Sequence, residues 1–115
     1  MANTFKVITK AGVTSLDVIY TAASGTTTVV LGLILGNTTT SQITSTVTLN
    51  TDTSNRSGAN NEANQAVELV TNAPIPAASS LEMLAGNKVV LETTDEIKVS
   101  ATGAVDVALS VMEIT

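Results

Sequence analysis

Residues Gln42 to Asn50 alternate without a break. Ile43, Ser45, Val47 and Leu49 point one way, and Gln42, Thr44, Thr46 and Thr48 point the other. A period of two describes a strand with one dry face and one wet face. β-branched residues, which lose rotamer freedom in a helix, fill the segment. No part of the chain offers a long helical period to compete with it.

Other strand-like segments recur at short intervals. Phe5–Lys10, Ser15–Thr21, Ala66–Thr71, Val89–Glu92 and Ile97–Ser100 are separated by Gly, Ser, Asn, Asp or Pro. Thr26 to Asn37 starts β-branched and becomes almost wholly apolar, which predicts a strand buried on both faces. Its Gly32 and Gly36 suit close sheet packing or a bulge. Thr93 to Glu96 predicts a hairpin turn joining the strands on either side. The last strand, Ala104 to Ile114, places Val105, Val107, Leu109, Val111 and Glu113 on one face. Ala77 to Leu84 is compatible with one short helix. About eight or nine short strands in 115 residues predict a single domain. The expected fold is all-β: an antiparallel β-sandwich, jelly-roll or Greek-key like.

Residues 51–65 (TDTSNRSGANNEANQ) contain no aliphatic side chain larger than Ala. Such a stretch cannot join a core. It reads as an exposed, flexible polar loop, or as a long connection from one sheet to the other.

Composition narrows function. The chain has no His, Cys or Trp, one Tyr and one Phe. It therefore lacks the usual proton shuttle and metal ligand, the thiolate, and most aromatic anchors. Lys88 and Lys98 would serve as bases only if buried, and no nucleophile elbow is present. Enzyme activity is not expected, and neither is a catalytic residue, a cofactor or a small-molecule substrate. A net charge of −5 disfavours nucleic acid and anionic membranes. The longest apolar run, Val29 to Gly36, is too short to span a bilayer. The N-terminus shows no signal pattern, which suggests a protein made in the cytoplasm. Only 13% of residues are charged, about half the usual share, so faces can meet without desolvating many ions.

Four features are candidates for chemistry or contact. Glu92, Asp95 and Glu96, with Asp106 on a neighbouring strand, form an acidic group; a hard cation needs such oxygens at one point, but the spacing fits no known loop. The preferred reading is a solvated turn, with no metal. Asn37-Thr-Thr39 and Asn55-Arg-Ser57 match the glycosylation pattern by chance. The segment Ala2 to Lys10 is either the first strand of the sandwich or an arm added to a neighbour's sheet. Candidate partner contacts are Phe5 and Lys6 on that segment, and Arg56, Asn60 and Asn61 in the polar loop.

The second half carries an ordered set of motifs: Ala73-Pro-Ile-Pro76, Ser80-Leu81, Gly86, Lys88-Val-Val-Leu-Glu92, Asp95-Glu-Ile-Lys-Val-Ser100 and a hydrophobic closing strand. With TTTVVLGLILGNTT (26–39) in the first half, this order resembles small virion structural proteins of tailed bacteriophages, particularly those of cyanobacterial and marine phages. The sequence departs from the pattern at Thr94, where the turn usually has Gly. The resemblance implies a virion component, and the favoured reading is a capsid decoration (cement) protein on the outer capsid surface. Its partners would be the major capsid protein and itself, as a homotrimer. A tail, neck or fibre component is the alternative. A carbohydrate- or calcium-binding adhesion module is a third reading, disfavoured by the missing aromatics.

Overall fold

The computed structural model describes residues 3–51, 65–83 and 88–115. These form nine strands and no helix: β1 (Asn3–Val13), β2 (Asp17–Thr21), β3 (Thr27–Asn37), β4 (Ile43–Thr51), β5 (Gln65–Ile75), β6 (Ser80–Met83), β7 (Val89–Leu91), β8 (Glu96–Ala101) and β9 (Val105–Ile114). One sheet has the order β1-β9-β3, with β6 and β7 both on the far edge of β3. The second has the order β2-β8-β4-β5. Every pairing is antiparallel.

The pairings nest. β4 pairs with β5, β3 with β6 and β7, β2 with β8, and β1 with β9. The chain is thus one long hairpin wound into two layers, the winding of a jelly roll. Thr51 pairs with Gln65 at the tip of that hairpin. The polar stretch therefore joins neighbouring strands of one sheet and does not cross between sheets; residues 52–64 lie outside the described residues.

Alternation builds the core. Val105, Val107, Leu109 and Val111 of β9 are all buried, as are Val30, Leu33 and Leu35 of β3. They face Ile43 and Val47 of β4 and Ile97 and Val99 of β8, in one continuous aliphatic cluster. Tyr20 is the aromatic member of that cluster. β4 follows its alternation through Val47. At Thr48, beside register shifts in the β4–β5 pairing, the outward side chain is buried too.

Three expectations are corrected. Ser80–Met83 is a strand, not a helix. It pairs with Leu33 to Gly36 of β3, whose edge would otherwise leave backbone groups unpaired. Residues 92–95 do not close a hairpin, because β7 lies in one sheet and β8 in the other. This crossing turn is tied to the β2–β3 crossing: the Thr94 N–H donates to the Ala22 carbonyl at 2.8 Å, and the Ala22 N–H to that of Asp95 at 2.9 Å. β3 is buried on one side only. Val30, Leu33 and Leu35 are inside, whereas Ile34 is 48% exposed. The glycine in its apolar run does sit at a bulge, between Val30 and Gly32.

Asn37 locks one end of the sandwich. It is buried at the end of β3, and its amide nitrogen donates to the carbonyls of Ser41, Ile75 and Pro76. Its Oδ1 accepts from the Thr39 N–H and hydroxyl. One side chain thus joins the β3–β4 loop to the β5–β6 turn, and a buried amide so engaged is no glycan acceptor.

Asn37→Ala should lower stability by about 2–4 kcal/mol in urea denaturation, since it strands several carbonyls at once. Thr94 holds φ at 68°, a region that is costly for a β-branched residue. Thr94→Gly should raise stability by about 0.5–1 kcal/mol in the same assay.

Candidate functional site

The candidate contacts on β1 divide between its two sides. Phe5 sits opposite Met112 on β9, on the outer side of the sheet, and is 70% exposed. Lys6 sits opposite the buried Val111 and so lies on the inner side. β1 is paired with β9 along most of its length, so it is the first strand of the sandwich and not a free arm. Arg56, Asn60 and Asn61 lie outside the described residues, as do Asn55 and Gly86.

The acidic group is not assembled. The Asp106 carboxylate accepts the Gly12 N–H at 2.9 Å, at the start of β9. Glu92, Asp95 and Glu96 lie at the opposite end, beside Ala22 and Gly25. Asp95 is buried, and its carboxylate accepts the Glu92 N–H, shaping the crossing turn. Among the described residues, no group of three or more His, Cys, Asp or Glu could hold a metal ion. Lys98 lies on the outer side of the second sheet with its Nζ 3.6 Å from Glu96, and Lys88 is exposed.

A polar cluster closes that same end between the layers. The Tyr20 hydroxyl of β2 donates to Glu113 Oε2 at 2.6 Å. It accepts from the hydroxyl of the fully buried Thr28 at 2.7 Å, because its own proton is already committed. Lys6 Nζ lies 2.8 Å from the other oxygen of Glu113. Burial, reinforced by the Glu113 carboxylate, pushes Tyr20 up to about 12. The Lys6 ammonium, followed by the Tyr20 hydroxyl, holds Glu113 below the ordinary carboxylate range. Every group has a partner and the phenol is held protonated. The cluster links β1, β2, β3 and β9, and it offers no free base near neutral pH.

The outer faces of the two sheets differ in kind. On the second sheet, the outward residues of β4 and β8 are Thr44, Thr46, Thr48, Asn50, Glu96, Lys98 and Ser100. On the first sheet, cross-strand register aligns Phe5, Met112, Val29 and Val90 in one row over β1, β9, β3 and β7. Val7, Ser110 and Gly32 form the next row, and Thr9, Ala108 and Ile34 the row after it, four residues along β9 from Met112. Phe5, Val7, Ile34 and Val90 are between 48% and 70% exposed. Within the paired strands, the outward charges of this face are Glu82 and Asp106, near the end where β9 starts; exposed Lys88 precedes Val90 by two residues.

Sequence reading found Phe5 but missed the face. Its members come from four strands scattered between Phe5 and Met112, and only the register joins them. The one available signal was the continuous apolar run of β3. No family model, curated protein or solved structure matches this chain.

Tyr20 is the chain's single Tyr and no Trp is present, so tyrosinate absorbance reads one group. The folded protein should titrate near 12, against about 10 in urea. A pKa raised by folding stabilises below the unfolded value, so stability should fall as pH rises from about 10 through about 12. Tyr20→Phe should flatten that dependence. It should also cost about 1–2 kcal/mol at neutral pH by leaving Thr28 without its acceptor.

Proposed function

We propose that this chain is a non-enzymatic virion structural protein, a decoration or cement protein that binds between major capsid subunits and stabilises the head. The observation that carries this reading is the largely apolar outer face of the β1-β9-β3-β6/β7 sheet. A monomer working alone gains nothing from showing water such a surface, whereas an assembly protein needs one. The resemblance of residues 26–39 and 73–100 to small phage virion proteins points the same way.

The mechanism is mechanical. A sandwich added at a junction between capsid subunits contributes interface area that opposes internal DNA pressure. A net charge of −5 suits an outward position, away from packaged DNA. The polar second sheet, with Thr, Ser and Asn in place of most ions, then faces solvent. No metal, nucleic acid or small molecule is needed, and the protein acts as a homo-oligomer.

Copy number per particle, measured by quantitative mass spectrometry against the major capsid protein, tests this reading. A ratio near one to one is expected, together with particles that release DNA at lower temperature when the protein is removed. A few copies per particle would move it to the neck, tail or fibres. Absence from particles would overturn the virion reading.

A further inference from the structure

We infer that the outer face of the β1-β9-β3-β6/β7 sheet is covered by the same face of a second copy of this chain, the two copies being related by a two-fold axis. The inference rests on the assembly reading above and names the partner of that same surface.

Three observations support a second copy. The first is the sequence of β3. Its run from Val29 to Leu35 suits a strand buried on both faces, yet the sandwich covers one side and leaves Ile34 48% exposed. The run is explained once a second layer lies on the open side.

The second is area. Four strands about 4.8 Å apart, with about 3.4 Å per residue along β3, make a face of roughly 19 by 37 Å, or about 700 Å² in plan. A stable complex buries about 800 Å² on each partner. The face falls within the range for stable complexes, roughly 600–1,000 Å² on each partner, only if the whole of it is covered.

The third is charge. Two chains at −5 repel wherever ionised groups meet. Within its paired strands this face has two charges, Glu82 and Asp106, both toward one end. An antiparallel two-fold about the Gly32–Ser110 row would keep the two Asp106 ends apart and lay the Phe5–Met112–Val29 row of each copy over the Thr9–Ala108–Ile34 row of the other. A face that meets itself closes with two copies, because a two-fold interface uses the same patch on both. The contact is thus a sheet-on-sheet packing at about 10 Å, which turns two sandwiches into four layers. A two-fold dimer differs from the homotrimer expected of a phage decoration protein, and the oligomeric state in solution distinguishes them.

Gly32 supplies the test. It lies opposite Ser110 in the middle of the face, and a Cβ built on it meets nothing within 4 Å. A side chain there can be added without disturbing the fold. Sedimentation of the full chain at up to about 100 µM, with circular dichroism to confirm folding, is the first measurement. The expected result is a species of twice the chain mass. Gly32→Glu and Val90→Lys should each weaken association about 100-fold or more by burying an unpaired charge. Ser100→Glu, on the outer face of the second sheet, should leave it unchanged. A monomer at that concentration, a trimer, or a dimer indifferent to both variants would overturn the inference. A monomeric chain whose Gly32→Glu variant no longer joins particles would refute the second copy and keep the assembly reading. A monomeric chain whose variant joins particles normally would refute both.

Discussion

The aliphatic layer between the two sheets is what the rest of the structure depends on. Val105, Val107, Leu109 and Val111 from β9, with Val30, Leu33 and Leu35 from β3, close against Ile43, Val47, Ile97 and Val99. Each such side chain contributes about 1.5–3 kcal/mol when fully buried. The force is large but has no direction, so it does not choose how the sheets sit on each other. Polar groups at the two ends supply that choice. Asn37 ties loops together at the end where β9 starts, and the Tyr20–Thr28–Glu113–Lys6 cluster joins strands where it finishes. Both are built from directional bonds with little tolerance for a slipped register.

The same winding explains why the outer faces differ. A jelly roll alternates its strands between layers, so each sheet collects residues from all along the chain. Thr-rich β4 and the charged β8 fall side by side in one sheet, and its outside is wet. The apolar β3 falls between β9 and β7 in the other, where outward Val, Met and Ile align. One protein thus carries a solvated wall and a sticky wall about one domain apart. A sparsely charged, Thr-rich composition leaves few ions to desolvate at either face.

Particular elements show how far sequence reading reached. The inward set of β9 and the alternation of β4 through Val47 were legible because a period of two requires no knowledge of neighbours. The bulge near Gly32 was legible because Gly inside an apolar strand has few other uses. The hairpin predicted at Thr93 to Glu96 failed because a turn that crosses between layers uses the same residues as one that stays within a sheet. The short helix predicted at Ala77 to Leu84 failed because the open edge of β3 outweighs a weak local preference. Of the two candidate contacts on β1, Phe5 is exposed on the outer side of the sheet, whereas Lys6 beside it faces the other way and pairs with Glu113.

Local chemistry alone therefore settled the class of fold, the identity of most core residues and the lack of His and Cys chemistry. All of these follow from residue type and periodicity. The order of strands, the separation of Asp106 from Glu92 and Glu96, the closed Tyr20 cluster and the apolar row across β1, β9, β3 and β7 came only with folding. Each depends on which distant segments become neighbours. That is decided by how a long hairpin winds to bury both of its inner faces at once, a condition on the whole chain that no single segment carries.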